Sequence, residues 1–334
     1  MADLKFKNHR FALRQYESVL DCLLRNSEPI PYACKAGMCQ ACLVKAIDCD
    51  ATPESKKWVK PALQAKGYTL ACQWVPDQDV QVALPSVEEF SVAVTIRELT
   101  PLNDAVMRVL LNVPDPAAMF SYRPGQYLSL INPHGITRSY SIANNYEQDH
   151  FIELHIAKTQ HGVFTHWLMA EARVGDALHT RGPTGDCYYH DTFEDGQSLI
   201  LAGTGTGLAP LYGIARDALA RGHNGTIELY HGARSSAQLY YVAELQALER
   251  AHDNFNYFPC TIEASGLPAG LTGKLEKSVE KRLNSAKLAH TLVFLCGAPD
   301  FVYDMRKRFY LKGARSANIF CDAFTERKVV ASQV

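Results

Sequence analysis

Long apolar runs are missing from this chain. No stretch approaches the ~18 apolar residues that a membrane-crossing helix needs, so a membrane-spanning role is not expected. An excess of one charge is missing too: 34 basic side chains face 35 acidic ones, for a formal net charge of -1. That balance offers no phosphate-neutralising surface, and nucleic acid is not an expected partner. The opening residues, MADLKFKNHRF, are charged and hold no signal-peptide core. Internal repeats and low-complexity tracts are absent. So are the metal-hydrolase pattern H-E-x-x-H and any nucleophile triad motif, and the 12 histidines show no ligand spacing. What remains is 334 residues, 47% of them hydrophobic, enough for two or three domains with packed cores.

Cysteine is plentiful. Ten cysteines without a secretion signal read as metal ligands and reduced thiols, and the expected compartment is the cytoplasm. Three of them, Cys34, Cys39 and Cys42, are spaced C-x4-C-x2-C, and Cys72 follows. This is the plant-type ligand pattern of a [2Fe–2S] cluster. Thiolates are soft, charged donors suited to iron beside sulfide, and Gly37 can take the positive φ that a tight ligand loop requires. Zinc sites favour two close ligand pairs, and only one close pair exists here; a disulfide pair is the other alternative. Cys49 is a possible substitute for Cys72. The segments PYACKAGMCQAC and YTLACQ resemble the ferredoxin family over residues 1–85. That family usually has a glycine where Gln40 stands, which bears on the amide–sulfur hydrogen bonds that tune potential but removes no ligand.

Three successive patterns divide the chain. The first has short strands and one helix, with Ser18 as a cap and Asp21 three residues on. Residues 84–90, LPSVEEF, read as a linker. From Val92 the runs VAVTI, AVMRVLLNV, QYLSLI, FIELHIA and DALHT are β-rich and separated by turns, which predicts an antiparallel barrel. From residue 198 strands alternate with helices, the pattern of a parallel sheet. One helix is expected near 272–285 and another near 300–312. The expected domains are therefore residues 1–88, 89–194 and 195–334.

The last pattern opens on AGTGTGLAP, with Gly203, Thr204, Gly205, Thr206, Gly207 and Pro210, directly after a strand and at the head of a helix. Such a loop offers backbone N–H groups and a positive helix end to a pyrophosphate, and Pro210 fits a first helical turn. The third glycine is one position early for the Rossmann fingerprint. The form instead resembles the NAD(P)H domain of the ferredoxin–NADP reductase superfamily, in which a later strand ends in Cys-Gly-x-Pro, here Cys296-Gly297-Ala298-Pro299. The middle pattern carries Arg138-Ser139-Tyr140-Ser141, which matches that superfamily's R-x-Y-S motif, and HGVFT, with Gly162, Val163 and Thr165, which matches its G-x-x-S/T helix start.

The resemblance implies a β-grasp ferredoxin domain, an antiparallel β-barrel flavin domain and a Rossmann-like parallel-sheet nucleotide domain: a multidomain α+β and α/β chain. It implies that Arg138 pairs a flavin phosphate, that Tyr140 stacks on the isoalloxazine, and that Ser141 hydrogen-bonds near its hydride-accepting nitrogen. Residues 162–165 would serve the flavin pyrophosphate. Asp322 and Phe324 match an acid and an aromatic that the superfamily places beside flavin and nicotinamide. Phe324 reads equally well as a core aromatic on a last strand, and Cys296 as a core thiol or a nicotinamide contact. FAD is favoured over FMN by the domain order. Glu263 aligns where NADPH-using relatives place an arginine, and its carboxylate repels a 2′-phosphate, which favours NADH; Arg234 is the counter-evidence. The whole chain resembles the reductase components of bacterial multicomponent oxygenases, and the expectation is a monomer that passes electrons from NADH through FAD and the cluster to an oxygenase or hydroxylase. A reductase for a deoxysugar enzyme, free flavin or ferric chelate, and a non-catalytic redox sensor, are the alternatives.

Overall fold

The computed structural model describes residues 2–59, 61–85, 91–113, 122–159, 162–194, 196–264, 267, 270–283 and 287–324. Residues 86–90 of the expected linker lie outside these. The chain forms two compact units, one ending at Ser91 and the other Val92–Phe324.

In the first unit, helix α1 (Val19–Arg25) starts at the anticipated cap: the Ser18 hydroxyl accepts from the Asp21 amide and donates to the Asp21 carboxylate. Five strands, β1 (Asp3–Phe6), β2 (His9–Ala12), β3 (Leu43–Ile47), β4 (Tyr68–Leu70) and β5 (Val80–Ala83), form one sheet in the order β2-β1-β5-β3-β4. β1 pairs antiparallel with β2 but parallel with β5. The helix lays Val19, Leu20, Cys22 and Leu23 on Leu4, Phe6 and Val44 of the sheet. Each such aliphatic side chain, fully buried, contributes roughly 1.5–3 kcal/mol. Single-turn helices at Pro53–Lys56 and Pro61–Gln64, which the sequence pattern does not reveal, lie between β3 and β4.

The second unit opens with six antiparallel strands: β6 (Val92–Asn103), β7 (Val106–Asn112), β8 (Tyr127–Ile131), β9 (Thr137–Ser141), β10 (Ile152–Ala157) and β11 (Ala177–Thr184). Their order is β10-β7-β6-β11-β8-β9, and an antiparallel bridge from Ile142 to Leu154 joins the last strand back to the first. Closure removes the open edges a flat sheet would expose. Ile152, Leu154 and Ile156 of β10 point inward, against Phe164, Trp167 and Leu168 of helix α2 (Val163–Ala170). One cavity of about 20 Å³ inside the barrel, lined among others by Val92, Leu128, Ile142 and Pro183, has no room for a flavin ring.

Six parallel strands follow: β12 (Leu199–Thr204), β13 (Ile227–Ala233), β14 (Phe255–Thr261), β15 (Leu271–Thr272), β16 (Leu292–Gly297) and β17 (Ile319–Ala323), in the order β15-β14-β13-β12-β16-β17. Helices α3 (Leu208–Ala220), α4 (Val242–Ala251), α5 (Leu275–Arg282) and α6 (Pro299–Leu311) alternate with them. The helix expected near 272–285 starts later, because Leu271 and Thr272 extend the sheet edge by pairing with Cys260 and Thr261. β16 is buried along its whole length, as a strand covered on both faces must be. Strand order reverses between β12 and β16, and crevices for ligands open at the carboxyl ends of strands at such a point. Among the described residues no helix is long and apolar enough to cross a membrane.

Candidate functional site

The four sequence-selected cysteines meet because of strand register. Cys42 leads into β3 and Cys72 follows β4; Leu43 pairs with Leu70, so the two cysteines lie side by side. The thiols close in two pairs, Cys34 with Cys39 and Cys42 with Cys72. The contact with Cys39 pulls the Cys34 thiol down to about 5, and the contact with Cys42 pulls Cys72 down to about 6. Their partners, acting as donors in the same contacts, are pushed up. Backbone amides reinforce the arrangement. Ala36 and Cys39 each donate to the Cys34 sulfur at 3.3 Å. Gly37 donates to Cys72, as does the Gln73 side chain at 3.5 Å. Among the described residues no group of three or more His, Cys, Asp or Glu side chains is placed to hold a metal ion. Two close pairs ringed by amides fit a binuclear cluster with two thiolates on each iron. Cys49 lies beyond the opposite end of β3, where its thiol donates to the Gln81 carbonyl.

Gln40 stands where the ferredoxin pattern has a glycine. Its φ is 54°, in the left-handed region, at a cost of roughly 1–2 kcal/mol for a side-chain-bearing residue. Its side-chain amide donates to the Trp58 carbonyl at 3.0 Å. The amide of Ala41, the next residue, still reaches the Cys39 sulfur.

In the second unit, Arg138 and Tyr140 lie two residues apart on β9 and therefore on one face. The Arg138 guanidinium donates to the Thr137 carbonyl at 2.7 Å, which leaves most of its donors for an anion. The Tyr140 ring lies 5.5 Å from that of Phe164, tilted by 53°. Burial keeps its phenol protonated well above the usual tyrosine range.

Gly162 caps α2 with no side-chain hydrogen bond, so the first amides of the helix stay available. A Cβ at Gly162 would lie 1.9 Å from the Thr159 hydroxyl. That hydroxyl in turn bonds the Thr165 hydroxyl at 2.9 Å. An uncapped helix start with no space for a side chain suits a pyrophosphate.

The glycine loop follows β12 as a single 3₁₀ turn, Gly205–Gly207, and α3 begins at Leu208 with Pro210 in its first turn. Gly205 has φ 55°. A Cβ at Gly207 would stand 2.3 Å from the Cys296 carbonyl oxygen, so only glycine lets the loop lie on the end of β16. The Thr204 hydroxyl accepts from the Ala298 amide at 3.3 Å and ties the loop to the Cys296-Gly297 turn.

That turn gathers the remaining candidates. Cys296 is register partner to Asp322 on β17, and the Phe324 amide donates to the Gly297 carbonyl at 2.8 Å. Ser141, at the end of β9, donates to the Asp322 carboxylate at 2.9 Å. Burial pushes the Asp322 carboxyl up to about 6, against the hydrogen bond from Ser141. Burial also raises the Cys296 thiol, and its sulfur lies 3.7 Å from that of Cys187. The four residues proposed for hydride transfer thus stand together where the barrel meets the parallel sheet.

At the far end of the sheet, Arg234 and Glu263 follow β13 and β14. Their side chains face each other at 3.9 Å, and the Glu263 amide donates to the Arg234 carbonyl at 3.1 Å.

Sequence reasoning missed a buried polar cluster. Glu153 and His155 occupy the outer face of β10, yet both are buried because Tyr240 and Tyr241 cover them. His155 bonds Glu153 at 2.9 Å and the Tyr240 hydroxyl at 3.3 Å, and Tyr241 donates to Glu153. Burial pushes the Glu153 carboxyl up, but His155, Tyr241 and the charge of Arg108 outweigh it and hold it below the usual range. Burial drives nearby His231, the register partner of Gly203, down to about 3. The available signal was an acid and a histidine two apart in the otherwise apolar run FIELHIA, a polar pair on one strand face. No motif marks Thr159 or Cys187.

Three family models cover the chain in order. The 2Fe-2S iron-sulfur cluster binding domain matches residues 5–77, the oxidoreductase FAD-binding domain residues 93–189, and the oxidoreductase NAD-binding domain residues 201–307. The reductase subunit of an aromatic O-demethylase from Amycolatopsis sp. is 34% identical over 73% of this chain and 75% of its own length. The ferredoxin–NAD(P)(+) reductase component of a naphthalene 1,2-dioxygenase system from Pseudomonas putida is 29% identical over 92% of this chain and 93% of its own. A crystal structure of a cytochrome P450 reductase from Amycolatopsis superposes with a TM-score of 0.69 at 28% identity, covering 98% of this chain and 99% of that one.

Proposed function

The chain belongs to the reductases that fuse a 2Fe-2S ferredoxin domain to FAD- and NAD-binding domains, and we propose that it takes electrons from NADH and delivers them singly to an oxygenase or hydroxylase protein. Residues 1–88 serve the cluster, 89–194 the flavin and 195–334 the nucleotide. A flavin held there would supply the exchange between a two-electron hydride donor and a one-electron carrier.

The protein's part is alignment. The amides of Gly205–Gly207 and the start of α3 take the nucleotide pyrophosphate. Arg138 and the start of α2 take the flavin phosphates. Tyr140 lays an aromatic face with a polar tip on the ring. Ser141 points its hydroxyl according to Asp322, whose carboxylate holds the hydroxyl proton. Cys296 and Phe324 wall the nicotinamide side and exclude water. Cys34, Cys39, Cys42 and Cys72 hold the cluster, and the loop amides on their sulfurs stabilise its negative charge. The observation that carries this reading is the convergence of Ser141, Asp322, Cys296 and Phe324 on the crevice where strand order reverses.

NADH is the preferred donor because the Glu263 carboxylate, 3.9 Å from Arg234, would repel a 2′-phosphate brought to that cation. A monomer in the cytoplasm is the proposed state: none of the ten cysteines is joined in a disulfide, and a donor that must release its partner each turnover works through small, transient contacts.

The test is an anaerobic absorbance titration of the purified protein with NADH. The flavin band should bleach first and the cluster absorbance should follow, with NADPH far less effective. A cluster spectrum that neither nucleotide changes would overturn the reading.

A further inference from the structure

We propose that Met38, Trp58 and the lysines beside Trp58 form a docking surface for an acceptor protein that presents carboxylates around an apolar contact. The inference rests on the electron-delivery reading above and names where and to what kind of surface the electron leaves. Two large apolar side chains stand in water next to the ligand loop: Met38 is 64% exposed and Trp58 54%. Met38 is the residue before Cys39.

Trp58 lies against the same loop, through its ring edge and its main chain. A Cβ at Gly37 would lie 3.1 Å from the indole Cδ1, and Gln40 donates to the Trp58 carbonyl at 3.0 Å. An indole that lies against the Gly37 backbone, on a main chain held by Gln40, has less freedom to lose when a partner covers it. It is also close to the cysteines that would hold the cluster, because the Gly37 amide donates to the Cys72 sulfur. Aromatic residues and methionine are what protein interfaces concentrate at their centres.

Charge identifies the occupant. The Lys57 ammonium sits 5.2 Å from the centre of the Trp58 ring. Residues 54–66, ESKKWVKPALQAK, hold four lysines and one glutamate, in a chain whose formal net charge is only -1. Lys35, on the same loop, is offset by Asp21 at 2.7 Å, and Lys56 has Asp50 at 3.9 Å. Lys57 over the indole, and Lys56, held only at 3.9 Å by the fully exposed Asp50, put positive charge on the Trp58 side, and a surface bearing carboxylates complements it.

The test uses the complete holoprotein and two heme proteins of opposite charge, acidic cytochrome b5 and basic cytochrome c, in anaerobic stopped flow across a range of KCl concentrations. Reduction of cytochrome b5 should slow as salt rises, and reduction of cytochrome c should not. The double variant Lys56→Glu with Lys57→Glu should lower the low-salt rate toward cytochrome b5 by about tenfold. In that variant, bleaching of the flavin and cluster by NADH should match the wild type. Trp58→Ala should lower the rate toward cytochrome b5 at every salt concentration. Equal rates in variant and wild type would overturn the proposal. So would slowed cluster reduction by NADH in the lysine variant, since the patch would then face the chain's own flavin module. Repeating the assay with the cluster reduced by dithionite reads docking even if NADH fails to reduce it, and so separates this inference from the reading beneath it.

Discussion

The Ser141 hydroxyl donates to the Asp322 carboxylate across 2.9 Å, although 181 positions separate the two residues. One stands at the end of a barrel strand and the other on the last strand of the parallel sheet. Their contact makes the proposed hydride-transfer site a property of both sheets together. It also gives that site a titrating group in the physiological range, since burial lifts the Asp322 carboxyl from 3.8 to about 6.

The rate of flavin bleaching by NADH should therefore rise with pH through about 6, where Asp322 ionises and its charge favours the nicotinamide cation left by hydride loss. Asp322→Asn should lower the plateau by about tenfold or more and flatten the profile. Stability runs the other way. The folded protein holds this proton more tightly than the unfolded chain, so stability contributed here is complete below 3.8 and is lost as pH rises to about 6. Thermal unfolding of the Asn variant should show a smaller loss over that window.

Cys39→Ser removes one sulfur of the Cys34–Cys39 pair. NADH should still bleach the flavin, because that chemistry lies in the other unit, while reduction of a one-electron protein acceptor should fall to background. Stopped-flow absorbance checks both; loss of flavin bleaching would contradict the division of labour.

Arg138→Ala should yield protein purified with little flavin, since no other sequence-selected side chain offers a guanidinium to the flavin phosphates. The ratio of flavin to protein absorbance measures it. Full occupancy would remove Arg138 from that role.

Glu263→Gln should release Arg234 from its carboxylate neighbour at 3.9 Å and narrow the preference for NADH over NADPH, by about three- to tenfold in kcat/KM. The gain should shrink as salt is raised. Adding Arg234→Ala should abolish it.

Gly207→Ala places a methyl group 2.3 Å from the Cys296 carbonyl oxygen, a backbone atom that cannot swing aside. The loop must shift off β16. A weaker affinity for NADH and a loss of roughly 1–3 kcal/mol of stability should follow, measured by nucleotide titration and by denaturant unfolding.

Much of this protein is local and so was legible from residue order. Three ligand cysteines fall within one loop, where spacing alone sets their reach. The cap at Ser18, the glycine loop between a strand and a helix, and the three successive periodicities are each written within a few residues, because backbone hydrogen bonding and helix ends are short-range. The family resemblance and the three-part fold came from these.

What tertiary structure decided are the long-range pairings. Cys72, which its family-like flanks already favour as the fourth ligand, stands beside Cys42 because Leu43 pairs with Leu70, which leaves Cys49 beyond the far end of β3. Asp322 reaches Ser141, and Cys187 reaches Cys296, only once the barrel and the parallel sheet pack together. Glu153 and His155 look like solvent-facing residues of a barrel strand until Tyr240 and Tyr241 cover them. Residue order carries which groups are present and their local geometry. Which distant groups share a site, and how far burial moves their proton affinities, depends on the close packing of surfaces that no local pattern records.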